Sequence, residues 1–105
     1  MAMFGLVDTT ELEDFARQLA KDLGRRFPPS SEARTDAGAQ HQIKVIFEGL
    51  GARAVRFHAE RKLGIYKKAK LGNVFKWQLK ELGYSDGFAE RATKEIVTRL
   101  AVNRR

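Results

Sequence analysis

Four amphipathic patterns determine the fold of this chain, and the clearest is TELEDFARQLAKDLG, residues 10–24. Thr10 and Glu13 have the spacing of a capping box, and Gly24 stands where helices commonly end. The apolar residues between them recur at alternating steps of three and one, which places them on one face of a helix. They are Leu12, Phe15, Ala16, Leu19, Ala20 and Leu23. The pattern predicts a first helix over residues 10–23.

Two later segments carry the same helical period. The second helix is predicted over about 40–62, and the fourth over about 88–101, where Ser85 or Asp86 would cap it. Gly49 and Gly51 interrupt the second pattern at about 1 kcal/mol each relative to alanine, so we expect a neighbouring helix to approach closely there; a kink is the alternative. The apolar positions are Ile43, Ile46, Phe47, Leu50, Ala54 and Phe57, then Phe88, Ala92, Ile96 and Leu100.

The third segment is ambiguous between a helix, a loop and a hairpin over residues 65–73. Leu71, Phe75 and Leu79 fit a helix that ends at Gly83. Gly72-Asn73 could instead form a turn, with Asn73 capping a shorter helix over 74–82, or the tip of a hairpin. We favour a helix because Lys, Gln and Leu dominate residues 76–82.

These elements predict an all-α fold, a single small domain of about four amphipathic helices in a bundle. The 105 residues suit one domain, 1–105. Residues 24–39, which contain Pro28-Pro29, are expected to connect the first two helices, and residues 1–9 and 102–105 to be frayed. The stretch 30–40 is either a loop or a weak first turn or two of the second helix. Trp77 and Tyr84 are expected in the core or at its rim.

Composition excludes several classes of protein and site. The chain has no cysteine, so it forms no disulfide scaffold and no thiolate zinc site. His41 and His58 have no acidic cluster beside them, and we expect no metal, no cofactor and no catalytic residue. No apolar run is long enough to span a bilayer, and no secretory signal is evident. The expected protein is non-enzymatic and cytoplasmic, with no membrane partner.

Positive charge is concentrated in the middle of the sequence. The net charge is +7, but residues 1–24 carry −3 and residues 41–80 carry +8. Such an asymmetry of charge is informative about binding partners and not about the fold. It favours binding of a polyanion, most simply DNA or RNA, through a basic surface over residues 53–80. A basic face that only keeps the protein in solution is the alternative.

The candidate nucleic-acid-binding residues combine cations with one aromatic ring. The cations would contact phosphates, and Tyr66 would stack on a base. They are Arg53, Arg56, Arg61, Lys62, Tyr66, Lys67, Lys68, Lys70, Lys76 and Lys80.

An acidic protein surface would satisfy the same charge. The chain is then a protein-interaction module, such as an inhibitor, an adaptor or an assembly component, of a make-up found in proteins encoded by phages and mobile elements. The acidic first helix could also pair with the basic middle of a second copy and give a homo-oligomer. Phe47, Phe57 or Trp77 on the surface would favour this class.

A short segment resembles a known family. His41-Gln42-Ile43-Lys44 followed by Leu50-Gly51-Ala52 is similar to the motif of histidine phosphotransfer domains, which are four-helix bundles of about this size. The resemblance covers residues 41–52. It implies that His41 accepts a phosphoryl group from an aspartate of a receiver domain, that Lys44 steadies the phosphate charge, and that Gly51 eases helix packing.

Overall fold

The all-α prediction is confirmed. The computed structural model describes residues 9–102, which form four long helices and contain no strand. The helices are α1 (Thr9–Arg26), α2 (Ala37–Arg61), α3 (Ile65–Leu82) and α4 (Asp86–Val102), with a short 3-10 helix at Pro29–Ser31. Thr9 and Val102 are thus helical. The other residues of the predicted frayed ends, 1–8 and 103–105, lie outside the described residues.

The connection between α1 and α2 is shorter than residues 24–39, because both helices extend into it. Gly24 does not end α1, which continues to Arg26 before Pro28 stops it. Asp36 is the N-cap of α2, where its carboxylate accepts a hydrogen bond of 2.9 Å from the backbone N–H of Ala39. That hydrogen bond, together with Arg34, lowers the pKa of Asp36. Helix α2 therefore begins three residues before Gln40.

Helix α2 ends in an unusual cap. Lys62 has a φ of 55° and lies in the left-handed region, and its N–H donates to the carbonyl of His58. Nδ1 of the buried His58 accepts a hydrogen bond of 3.2 Å from the N–H of Leu63. The predicted end of the second helix near residue 62 is in the right place. The strained position belongs to Lys62, whereas Gly64 is the N-cap of α3.

Helix α3 is continuous, so Gly72-Asn73 forms neither a turn nor a cap. Gly72 is buried against α4, and a Cβ atom built there would lie 2.7 Å from Cγ2 of Val97. The glycine permits this close approach of two helices. Gly83, at a φ of 111°, ends α3 as predicted, and Ser85 accepts a hydrogen bond from the N–H of Phe88 at the start of α4.

The four helices form a bundle in which α1 packs on α3, α3 on α4, α4 on α2, and α2 more lightly on α1. Helices α2 and α3 therefore occupy opposite corners. The predicted apolar faces meet in one core, apart from Phe15, which is only partly buried and packs against it. Tyr84 belongs to this core, and its hydroxyl donates to the carbonyl of Phe27. Trp77, by contrast, lies on the surface with 55% of its area exposed.

The two predictions for glycines within α2 have different outcomes. Gly51 is buried against the side chain of Arg99 of α4, which agrees with the prediction that a neighbouring helix approaches closely at this glycine. Gly49 is exposed and has no atom within 4 Å of an added Cβ, so it makes no close approach. No helix within residues 9–102 has the length and apolar character needed to cross a membrane.

Candidate nucleic-acid interface

Part of the basic segment faces α1 and is neutralised by its carboxylates. Arg53 of α2 lies 3.0 Å from Asp22, and Lys70 of α3 lies 3.4 Å from Glu13. Arg61, at the end of α2, donates to Glu11 over 2.5 and 3.0 Å. These three cations hold α2 and α3 against α1, and their charge is not available in full to a ligand.

Arg61 is the most tightly engaged of the predicted residues. Its guanidinium also lies 3.0 Å from the carboxylate of Glu60 and 4.7 Å from the centroid of the Phe57 ring. The hydrogen bonds that Arg61 donates to Glu11 raise the pKa of Arg61 above its usual range. A phosphate would have to compete with two carboxylates for this side chain, so it is a poor anchor for nucleic acid.

Two of the predicted lysines contact α4 or its start rather than α1. Nζ of Lys68 donates to the carbonyl of Leu100 over 3.4 Å and so caps the C-terminal end of α4. Nζ of Lys80 lies 3.5 Å from the carboxylate of Asp86. Asp86 is 84% exposed, so this ion pair is weak and a phosphate can displace it.

The remaining predicted cations differ in the solvent exposure of their side chains. Arg56 and Lys62 are exposed, and Lys76 and Lys67 are partly buried. Among the described residues, no carboxylate forms an ion pair with Arg56, Lys62 or Lys76. Arg56 shares a shallow groove with Phe15, Arg53, Phe57 and Glu60 at the junction of α1 and α2.

The predicted residues do not form one continuous surface. Arg53 and Arg56 are on α2, whereas Lys76 and Lys80 are on α3, and these helices occupy opposite corners of the bundle. Charges that lie near one another in the sequence are thus divided between two sides of the helix bundle. The α3 side keeps more of its charge, because residues 61–80 contain no acidic residue and only Lys70 of that helix pairs with α1.

Helix α4 adds cations that the count along the sequence did not reveal. Lys76 lines a groove between α3 and α4 together with Arg91 and Lys94. Glu90 lines the same groove but forms no ion pair with these cations. The net charge of residues 81–105 is only +1, so the charge count did not indicate a group of cations on α4. The helical period of α4 could have revealed these cations. Its apolar residues form the buried face of the helix, so Arg91 and Lys94 lie on the face exposed to solvent.

Two large aromatic side chains are exposed on α3. Tyr66 is exposed over 75% of its area and Trp77 over 55%. Nζ of Lys80 lies 4.7 Å from the centroid of the Trp77 ring, in a cation–π contact. The other residues considered for the surface, Phe47 and Phe57, are buried. The α3 side therefore combines lysines with exposed rings, which is the combination that nucleic-acid surfaces use.

His41 lies on the surface in the second turn of α2, with Lys44 exposed one turn later. This is the exposure that a phosphoryl acceptor needs, but no further contact distinguishes the histidine. The resemblance to histidine phosphotransfer domains stays a prediction. Within residues 9–102, no three His, Asp or Glu side chains are grouped as metal ligands.

Comparison with known proteins finds no match to a family model, to a curated protein or to a solved structure.

Proposed function

We propose that this protein is a non-enzymatic binding protein whose ligand is a polyanion, DNA or RNA, and that the ligand lies along the side of the bundle formed by α3 and α4. One observation carries the proposal. The acidic residues of α1 pair with the cations that face α1, while Lys76 and, across the groove, Lys94 form no ion pair with a described carboxylate.

The charge of this side has a physical consequence. Lysines held close together on a folded domain repel one another, and phosphates relieve that repulsion while releasing counterions from the nucleic acid. Four contacts give a slope of log affinity against log salt of about −3 for a single strand and about −4 for duplex DNA. The four lysines are Lys68, Lys76, Lys80 and Lys94.

A fluorescence-anisotropy titration at two salt concentrations tests the proposal. The probes are random duplex DNA, single-stranded DNA and RNA. The test variant is Lys76→Gln with Lys94→Gln, and the matched control is Arg17→Gln with Lys21→Gln on α1, which changes the net charge equally. We expect the test variant to bind more weakly with a slope shallower by about 1.5, and the control to bind nearly as the wild type does.

Two results would count against this assignment. Equal losses in both double variants would show an effect of net charge alone, without a binding surface on α3 and α4. Absence of binding to all three probes at the lower salt concentration would remove nucleic acid as the ligand.

A second candidate, a protein-interaction module, is favoured by the exposure of Trp77 and by an apolar groove. The start of α3 and the end of α4 form an apolar groove lined by Ile65, Ala69, Val97 and Ala101, and Ile65 is 88% exposed. If this groove joins two copies of the chain, sedimentation will show a concentration-dependent dimer that Ile65→Asp abolishes. A monomer at every concentration would remove the homo-oligomer.

A further inference from the structure

The outward face of α3 carries both exposed aromatic side chains in one line. Tyr66 and Trp77 are eleven residues apart, which is about 20° more than three full helical turns. They therefore point in nearly the same direction and are separated by about 16 Å along the helix axis. The buried residues Leu71, Phe75 and Leu79 lie on the opposite face, so the core does not explain these two rings.

The side chain of Lys80 contacts the Trp77 ring but leaves much of the ring exposed to solvent. Lys80 contacts the ring at 4.7 Å from its centroid and also pairs with Asp86 at 3.5 Å. More than half of the Trp77 surface is still exposed. Within the described residues, no other aromatic ring stacks on either Tyr66 or Trp77. Both rings can thus receive a planar partner.

The segment between the two rings is strongly basic. Residues 67–76 contain four lysines and no acidic residue. Lys70 lies on the outward face between the rings, where a phosphate would compete with Glu13 for its charge, and Lys80 lies against Trp77. An extended strand laid along this face would meet a ring at each end and lysines beside the rings, which matches the alternation of bases and phosphates.

The chemistry of this face distinguishes among possible partners. Protein interfaces are depleted in lysine, whereas this face is rich in it. In duplex DNA the faces of the bases are stacked inside the helix, and reaching them costs unstacking energy. Unpaired bases present a free face to an aromatic ring, and the lysines contact the phosphates on either side.

We infer that the outward face of α3 binds single-stranded nucleic acid, with one base stacked on Tyr66, another on Trp77, and the lysines of the same helix on the intervening phosphates. This inference rests on the proposed function and names its ligand class. Because nearly every base stacks, the binding is largely independent of sequence.

Trp77 is the only tryptophan of the chain, so its fluorescence reports directly on this face. We expect oligothymidine to quench Trp77 and matched duplex DNA to leave it nearly unchanged. Tyr66→Ala and Trp77→Ala are each expected to weaken oligothymidine binding by about 5- to 150-fold, the effect of losing one stacked base. Neither changes the charge, so the salt slope should stay the same.

Controls separate stacking from folding. Trp77→Phe keeps a ring and should recover much of the affinity, and Val45→Ala removes an exposed apolar side chain from α2 without any effect on binding. Circular dichroism checks whether the variants are folded. Trp77 is exposed, so its replacement should leave the helices intact.

The outcomes distinguish the two proposals. Salt-dependent binding of oligothymidine, with Trp77 unquenched and with wild-type affinity in both alanine variants, would overturn stacking and leave polyanion binding in place. Equal quenching and affinity with duplex DNA would overturn the preference for single strands. Absence of binding to any nucleic acid at the lower salt concentration would overturn both proposals. This is also the result expected if a protein, rather than a nucleic acid, occupies this face.

Discussion

The guanidinium of Arg53 lies 3.0 Å from the carboxylate of Asp22, which joins α2 to α1 across 31 residues of sequence. Asp22 also pairs with Arg25 and Arg26, and its side chain is only 14% exposed. One carboxylate of the acidic helix therefore pairs with three arginines, of which only Arg53 belongs to α2. This arrangement limits how much of the positive charge of α2 reaches a ligand.

Replacing Asp22 with asparagine is expected to lower stability and to leave DNA binding nearly unchanged. The loss of three ion pairs at a partly buried position should lower the free energy of unfolding by about 1 kcal/mol. The released arginines lie on α1 and α2 rather than on the proposed surface of α3 and α4, so the affinity for DNA should change little. Urea denaturation and anisotropy titration measure the two effects. Asp14→Asn, which removes the same charge from a more exposed position, should change stability by less than about 0.5 kcal/mol.

Gly72→Ala is expected to destabilise the protein, although alanine favours a helix. The new methyl group would lie 2.7 Å from Cγ2 of Val97, and the β-branched neighbour has little freedom to move. Overpacking should cost about 1–3 kcal/mol, which exceeds a gain of about 1 kcal/mol in helix propensity. The control is Gly49→Ala, which has open space and should stabilise the protein by about 0.5–1 kcal/mol. Similar urea midpoints for the two variants would contradict the close contact of α3 and α4.

The helices could be predicted from the sequence because their apolar residues repeat with the helical period. The α1 stripe from Leu12 to Leu23, apart from the partly buried Phe15, and the α4 stripe from Phe88 to Leu100 are buried. Helix ends were harder to predict. Asp36 starts α2 through a single side-chain hydrogen bond, and Gly24, a typical terminator, lies within α1. Gly72-Asn73 has the composition of a turn, and the packing of α3 on α4 decides in favour of a helix.

The candidate site was less predictable, because ion pairing depends on contacts between distant residues. The sequence shows an excess of cations over residues 41–80, but not that Arg61 meets Glu11 across 50 residues. The basic side of α4 was concealed by acids that alternate with Arg91 and Lys94. Trp77 was expected in the core or at its rim, but it lies two residues from the buried Phe75 and Leu79, and on a helix that spacing places it on the opposite, exposed face.

Lys62→Gly is expected to stabilise the protein modestly. Lys62 has a φ of 55°, a conformation that costs about 1–2 kcal/mol for a residue with a side chain and little for glycine. The greater freedom of glycine in the unfolded chain offsets part of this gain, which leaves about 0.5 kcal/mol. The same change at the exposed helical position Lys44 should instead cost about 1 kcal/mol. Thermal unfolding of both variants checks the contrast, and a lower midpoint for Lys62→Gly would contradict it.

The stability of the protein should decline in strongly alkaline solution because of Tyr84. Burial raises the pKa of Tyr84 from 10.0 to about 12, and its hydroxyl donates to the carbonyl of Phe27. Between these two pH values the unfolded chain has lost the phenolic proton and the folded chain keeps it. The unfolded state then binds fewer protons, so the free energy of unfolding falls as the pH rises. Below pH 10 this contribution is fully present.

A comparison with Tyr84→Phe isolates this contribution from the titration of lysines in the same range. The variant should be less stable than the wild type below pH 10, since it loses a buried hydrogen bond. Because phenylalanine has no proton to lose, the difference in stability should shrink between pH 10 and pH 12. Urea denaturation at several pH values measures the difference, and the ultraviolet absorbance of tyrosinate shows when Tyr84 ionises. A difference that stays constant over this range would show that the Tyr84 proton is no more tightly held in the folded protein than in the unfolded chain.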